Sequence, residues 1–208
     1  PGGFGPADFR GRREAVLAAL GDDAMVVAAA PSPADGQESR YAFRPGGDLF
    51  YLTGCIEPGA VLLLRGGSSE PPATLFVRPR DPDAERWAGS RLGPRGASEL
   101  LGIEHVLDLA LLPETLDDAL RSVHRIHYRL GSHAGVDRAA REALAFARAA
   151  GTRKGAGPRT LVDHGLILEP LRMRKGPGEL EALRRAAPLT KSAFAAALPH
   201  AGPGAREG

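Results

Sequence analysis

The feature that most constrains the fold is a pair of short apolar segments separated by a turn-forming sequence. They are GAVLLLRG (residues 59–66) and ATLFVRP (73–79), joined through GGSSEPP. Both have the length of a strand, and Gly and Pro favour turns, so the pattern predicts a hairpin with an irregular turn. Three further segments, at 24–30, 105–109 and 125–130, predict additional strands.

Amphipathic helices are predicted between these strands. In ADFRGRREAVLAALG, five residues at steps of three or four form one stripe of a helix. Asp8 is its expected N-cap, and Gly21 is expected to end it. This stripe consists of Phe9, Arg13, Val16, Leu17 and Leu20. The alternation of helices and strands predicts an α/β fold, a mixed sheet flanked by helices, over residues 1–168. Further helices are predicted at 84–88, 97–101, 112–123 and 136–151.

Composition excludes several classes of protein. The numbers of basic and acidic residues are nearly equal, 27 and 25, and no Lys/Arg cluster is interleaved with aromatic residues. We therefore expect no nucleic-acid partner. No apolar segment approaches the roughly 20 residues of a membrane span, so we expect no membrane partner. No secretory signal follows Pro1, and the single cysteine, Cys55, excludes an internal disulfide framework and is expected to be buried. These features favour a cytoplasmic location.

The sequence contains no complete constellation of catalytic groups. His124 and His127 are three residues apart, but a strand would place them on opposite faces, and a zinc site needs three or four converging ligands. The other histidines are isolated in the sequence, and the acid pairs Asp22-Asp23 and Asp117-Asp118 are expected to be solvated. Gly-x-Ser-x-Gly, the phosphate-binding Gly-Lys-Ser/Thr loop and Cys-x-x-Cys are absent from the sequence. The residues therefore predict no catalytic group and no metal ligand.

The segment YAFRPGGDLFYLTG, residues 41–54, combines a turn with a large apolar cluster. Pro45-Gly46-Gly47 predicts a turn, Asp48 an N-cap, and Gly54 a left-handed helix end. Between them, Leu49 to Leu52 fill one helical turn. We therefore predict a short helix that inserts into the core.

The chain changes character after residue 168. The segment from Glu169 is expected to begin extended, turn at Gly176-Pro177-Gly178 and continue as a helix, in which Pro188 removes one backbone donor and introduces a kink. We assign 169–208 to a linker and the first helix of a second domain. The stripe of this helix needs a surface to pack on and comprises Leu180, Leu183, Ala187, Lys191, Phe194 and Leu198.

Three segments, in this order, resemble the N-terminal domains of Xaa-Pro aminopeptidases (aminopeptidase P). FRPGGDLFYLTGCIEPGAVLLL is similar to the family's Phe-Arg-Gln-x-Ser-Asp-Phe-x-Tyr-Leu-Thr-Gly-x-x-Glu-Pro-x-Ala-Val-Leu segment. RDPDAERWAGSRLG resembles its Arg-Asp…Glu-x-Trp-x-Gly-x-Arg-x-Gly segment, and LRMRKGPGELEALRRAA resembles the linker and first catalytic-domain helix. The chain departs from the family where Gly46-Gly47 and Gly176 replace polar residues and where Pro188 interrupts the helix.

The resemblance implies a two-domain metallopeptidase. Its first domain has the creatinase N-terminal fold, which is ribonuclease-H-like, and its second is a pita-bread domain that binds two divalent metals, usually manganese. The metal ligands, two Asp, one His and two Glu, would lie beyond Gly208. The reaction implied for the whole protein is removal of the N-terminal residue preceding proline, by attack of a metal-bridging water. The fragment alone is expected to be inactive.

The resemblance also implies residues at the rim of the substrate pocket. Trp87 matches the family's Trp and offers a flat indole face to a proline ring; the alternative is that Trp87 lies in the core. Arg153 matches a linker Arg that could bind a peptide carboxylate or carbonyl, or be a solvated residue after a helix. Glu38 falls where the family has Asp, and could equally be an ordinary loop acid. The family uses this domain for oligomer contacts, so we expect a homo-oligomer.

Three other functions remain open from the sequence. Prolidase cleaves Xaa-Pro dipeptides with the same metals. A non-catalytic relative on the same scaffold would bind peptides or proteins. A stand-alone dimerisation module would leave the stripe from Leu180 to Leu198 exposed, which argues against it.

Overall fold

A computed structural model gives the conformation of most of the 208 residues. The structure describes residues 3–29, 46–67, 71–150, 157–202 and 204. Within them lie helices α1 (Pro6–Leu20), α2 (Gly47–Thr53), α3 (Pro82–Ala88), α4 (Gly93–Leu101), α5 (Leu112–Arg121), α6 (Ala134–Ala150), α7 (Gly165–Met173) and α8 (Pro177–Ala197). The strands are β1 (Ala24–Ala28), β2 (Val61–Arg65), β3 (Ala73–Val77), β4 (His105–Asp108), β5 (Arg125–His127) and β6 (Thr160–Val162).

The strands form one mixed sheet in the order β4-β3-β2-β1-β5-β6. The predicted hairpin is confirmed, because β2 and β3 pair antiparallel, and β1 also pairs antiparallel with β2. The remaining pairs, β3–β4, β1–β5 and β5–β6, are parallel. Sequence patterning missed β6, a three-residue strand whose Thr160 pairs with Arg125.

Helices bury both faces of the sheet. Met25 and Leu62 face one core, where they meet Leu20 of α1, the apolar residues of α2 and Leu168 of α7. The alternate strand residues, such as Val26 and Leu63, face a second core formed with α5 and α6. This double burial explains why the strands read as continuous apolar segments. The predicted α/β fold, a mixed sheet flanked by helices, is thus confirmed.

Helix α1 begins two residues earlier than its predicted cap. Gly5 is the N-cap and Pro6 the first helical residue, while Asp8 accepts a hydrogen bond from Gly5 N at 2.8 Å. Asp8 is therefore not the cap but closes the first turn, and the N-cap prediction was wrong. Further along the helix, Arg13 is buried and donates to Leu52 O at 2.9 Å, and burial lowers its pKa to about 10.

Helix α2 inserts into the core as predicted. Leu49 and Leu52 are fully buried, and Gly54 ends the helix at φ 70° with its N–H donating to Phe50 O. A Cβ at Gly54 would lie 2.7 Å from the Phe9 ring, so both conformation and space require glycine. The N-cap is Gly46, so the prediction of Asp48 as the cap was wrong; its carboxylate makes tertiary contacts instead.

The C-terminal region differs from the prediction at its start. Residues 169–173 belong to α7 and are helical, not extended, although Pro170 lies inside the helix. Burial of Leu168 against the sheet overrides the local effect of Glu169-Pro170. Helix α8 runs without interruption through Pro188, and its apolar residues are exposed, including Leu183 and Phe194.

Among the residues that the structure describes, none of the helices has both the length and the apolar character needed to cross a bilayer.

Candidate functional site

Trp87 lies on a segment that leaves the sheet after β3 and returns at the start of α4. We call residues 78–92 the Trp87 arm. The arm contains the short helix α3, and the side chain of Trp87 on that helix is 92% exposed. The alternative that Trp87 is a core residue is therefore wrong.

Acidic side chains fix the first part of the arm. Asp81 caps α3 by accepting hydrogen bonds from the backbone N–H groups of Asp83 and Ala84, both at 3.1 Å. Glu85 accepts from Arg80 Nε at 2.8 Å and from Asp81 N at 3.0 Å. Since these bonds connect residues five or fewer apart, they stabilise the local conformation of α3.

Glu57 connects the two ends of the arm. Its carboxylate is buried and accepts from Leu92 N at 3.0 Å through Oε1 and from Arg78 Nη2 at 3.4 Å through Oε2. In the sequence, Glu57 is distinguished only as part of the family-like segment FRPGGDLFYLTGCIEPGAVLLL. The signal that could have identified Glu57 is an acidic residue in an otherwise apolar stretch, because such a carboxylate requires hydrogen-bond donors when it is buried.

Of the three predicted rim residues, one lies within the described part of the chain. Trp87 is placed on the arm, but Glu38 and Arg153 lie outside the described residues. Their role at a pocket rim therefore stays a prediction.

A second polar group, the Asp48 cluster, consists of Asp48, Arg129, His164 and Arg172. His164 is buried, donates to Asp48 from Nε2 at 3.0 Å and accepts from Arg129 N at Nδ1. This pattern fits a neutral imidazole with its proton on Nε2. Asp48 also pairs with Arg172 and lies 3.6 Å from Arg129 Nη1. Its pKa is lowered, chiefly by the hydrogen bond from His164 and then by Arg172, against the opposing effect of burial.

The Asp48 cluster lines a cavity of about 460 Å³ at the carboxyl ends of β1, β5 and β6. Ligands of α/β proteins bind at this edge of a sheet. Here, however, the charged groups neutralise one another, because Arg129 also pairs with Asp163 and Glu169. The arrangement holds α7 against α2 and the end of β5, so we assign it a structural role.

We predict that Asp48→Asn destabilises the protein in a pH-dependent way. At pH 7 the loss of charge-assisted bonds to Arg172 and His164 is expected to lower the free energy of unfolding by about 1–3 kcal/mol. Because the folded-state pKa of Asp48 is below its ordinary value, this stabilisation is present above the unfolded-state pKa and is lost as the pH falls through the folded-state pKa. Urea unfolding of wild type and variant should therefore differ at pH 7 and converge in acid.

The matched control is Asp117→Asn, which removes an exposed ion pair with Arg121 on α5. A change within about 0.5 kcal/mol is expected there. Equal stability of Asp48→Asn and wild type at pH 7 would contradict the prediction.

Among the residues that the structure describes, the remaining titratable groups form no catalytic arrangement. Asp23 is not simply solvated, because it lies 3.3 Å from Nε2 of buried His127. Cys55 is buried, as predicted, and burial raises the pKa of its thiol to about 11. Within the described ranges, no three His, Cys, Asp or Glu side chains are grouped so as to hold a metal ion. These residues therefore do not fit the two-metal centre that the resemblance implies.

Comparison with known proteins defines the class to which this fold belongs. Residues 9–127 match the family described as aminopeptidase P, N-terminal domain. Xaa-Pro aminopeptidase of Escherichia coli is 31% identical over 199 residues, covering 95% of this chain and 45% of the relative. Intermediate cleaving peptidase 55 of Schizosaccharomyces pombe is 29% identical over 191 residues, covering 90% of this chain and 39% of the relative.

Solved structures give the same result. The low-pH form of aminopeptidase P from E. coli superposes with a TM-score of 0.75 at 32% identity, covering 88% of this chain and 42% of the solved one. Aminopeptidase PepP from Pseudomonas aeruginosa gives 0.74 at 28% identity, covering 86% and 40%. The fold is therefore that of an aminopeptidase P N-terminal domain. The chain belongs to the aminopeptidase P N-terminal domain family, and it spans about half the length of the curated relatives it matches.

Proposed function

We propose that this chain is the N-terminal part of a metal-dependent Xaa-Pro aminopeptidase, which removes the N-terminal residue preceding proline. The observation that carries this proposal is the exposed indole of Trp87 on an arm whose ends are held by hydrogen bonds to Glu57. A large flat aromatic face suits a proline ring, because stacking on it buries apolar area and gains dispersion energy. The names of the relatives cited above favour an aminopeptidase over a prolidase.

In this proposal the chain binds and orients the peptide and does not carry out the hydrolysis. Trp87 contacts the prolyl ring, and Arg153 and Glu38 contribute to the rim of the same pocket. Two divalent metals, manganese by family resemblance, supply an activated water when bound. The family resemblance implies that their ligands lie downstream of residue 208.

The division into residues 1–168 and 169–208 also belongs to this proposal. The exposed stripe of α8, with Leu183 and Phe194, suits the first helix of a catalytic domain that packs on it. We further propose a homo-oligomer in the cytoplasm. Because Trp87 projects into solvent, an oligomer would allow its indole to reach the pocket of a neighbouring subunit.

The test is the substitution Trp87→Ala in the whole protein, with the reading frame continued past residue 208. Loss of the stacking contact, about 1–2 kcal/mol, is expected to raise KM for an Xaa-Pro peptide about tenfold with a smaller change in kcat. Trp87→Phe should retain part of the contact.

The control is Phe146→Ala, which removes another partly exposed ring, on the opposite layer in α6. It is expected to leave KM unchanged. Wild-type kinetics for Trp87→Ala would rule out a role of Trp87 in the pocket.

A further inference from the structure

The Trp87 arm is held by side-chain bonds at its base rather than by burial of its tip. Helix α3 has seven residues, which is too short for independent stability in water, and its Trp87 is almost fully exposed. The bonds of Asp81 and Glu85 are local to the arm, so its orientation relative to the sheet must be fixed from elsewhere in the chain.

Glu57 supplies the principal connection. It lies between α2 and β2, outside the arm, and each carboxylate oxygen binds a different end: Oε1 the N–H of Leu92 and Oε2 the guanidinium of Arg78. The residue is 7% exposed, and a buried carboxylate is stable only when such donors are supplied. Bonds to an ionised acceptor are also stronger than neutral ones.

Two other contacts reinforce the same junction. Arg91 donates to Pro79 O at 3.4 Å and lies 3.9 Å from Asp81 Oδ2, so it links the returning end of the arm to the departing end. Gly93 follows the arm at φ 65°, and a Cβ there would lie 2.9 Å from Arg80 Cγ. The two ends therefore approach too closely for any larger residue at position 93.

We propose that Glu57 is a positioning residue for Trp87. By binding both ends of the arm, it holds the backbone of α3 in one orientation, so that the indole meets a peptide without a further ordering cost. Its use in peptide binding rests on the proposed function, whereas immobilisation of the arm does not.

A purely structural role for Glu57 makes different predictions. If Glu57 only stabilised the fold, its loss would lower global stability without a selective effect on the motion of Trp87. It would also affect peptide binding independently of Trp87. Both differences can be measured.

The first experiment follows the time-resolved fluorescence anisotropy of Trp87, the only tryptophan in the chain. Glu57→Gln keeps the size of the side chain but removes its charge, and should increase the amplitude of the fast depolarisation about twofold with unchanged circular dichroism. Glu99→Gln is the matched control, because Glu99 pairs with Arg95 on the exposed face of α4 and does not bind the arm. This control should reproduce the wild-type decay.

Two results would overturn the claim that Glu57 immobilises the arm. One is a wild-type anisotropy decay in folded Glu57→Gln, and the other is a large fast component already present in the wild type. If Glu57→Gln does not fold, Arg78→Met removes the same ion pair from the other side. An unchanged decay in Arg78→Met would then overturn the proposal, and a larger fast component would support it.

The second experiment is a double-mutant cycle on kcat/KM in the whole protein. Glu57→Gln should lower kcat/KM about threefold when Trp87 is present and have almost no effect in the Trp87→Ala background, because a residue that acts through another is non-additive with it. Additive effects would refute the positioning role while leaving the role of Trp87 intact. If Trp87→Ala itself has no effect, the proposed function fails, and the anisotropy result still decides whether Glu57 holds the arm.

Discussion

The 208-residue chain, purified alone and given manganese and an Xaa-Pro peptide, is expected to release no amino acid above a metal-only blank. Two-metal hydrolysis requires carboxylate and imidazole ligands that bind both ions in one site, and the described residues provide no such group. Loss of the metal centre removes the activated water, so the rate should fall to that of the uncatalysed reaction, which enzymes typically accelerate by about 10⁶-fold or more.

The comparison needs two controls on the same preparation. Circular dichroism should show the helices and sheet of the folded chain, so that inactivity is not a result of unfolding. The whole protein, assayed in parallel, should release the N-terminal residue and lose this activity on chelation. Chelator-sensitive turnover by the 208-residue chain would contradict the assignment of the hydrolytic centre to downstream sequence.

The largest effect on stability is expected for Leu49→Ala in α2. Leu49 is fully buried in the core that α1, α2 and α7 form with the sheet, so truncation removes apolar contacts and leaves a cavity. Such substitutions cost about 2–5 kcal/mol, depending on how far the site can relax. Urea unfolding should show a lower midpoint with an unchanged slope.

Leu100→Ala in α4 is the matched control, because the same atoms are removed from a side chain that is 61% exposed. Its effect should stay within about 0.5 kcal/mol. If the two variants were equally stable, α2 would not be the core element that the structure describes.

Most of the sheet could be predicted because its strands are locally distinctive. The segments that became β2 and β3 are apolar, of strand length and separated by turn residues, so no tertiary information was needed. Strand β6 was missed because Thr160–Val162 is only three residues long and is defined by pairing with β5. The prediction that the chain is extended from Glu169 was wrong because Pro170 disfavours a helix only locally, whereas burial of Leu168 stabilises α7.

Less of the candidate site than of the sheet could be predicted from the sequence. Trp87 was identified through family resemblance, and the helix around it through local pattern, but neither predicts its exposure. The arm that carries Trp87 is anchored by Glu57, which binds Leu92 across 35 residues. The bond between Asp48 and His164 spans 116 residues. Periodicity reports which face of an element is buried, but not which distant polar groups meet, so the sequence offered Asp48 as a cap and His164 as isolated.

The division of labour between this chain and a downstream catalytic domain is tested most directly by sequencing the DNA past codon 208. We predict an open frame that encodes two Asp, one His and two Glu in the order of the family's metal ligands. An intact downstream frame that lacks this series would contradict the peptidase assignment and favour a non-catalytic binding protein on the same scaffold.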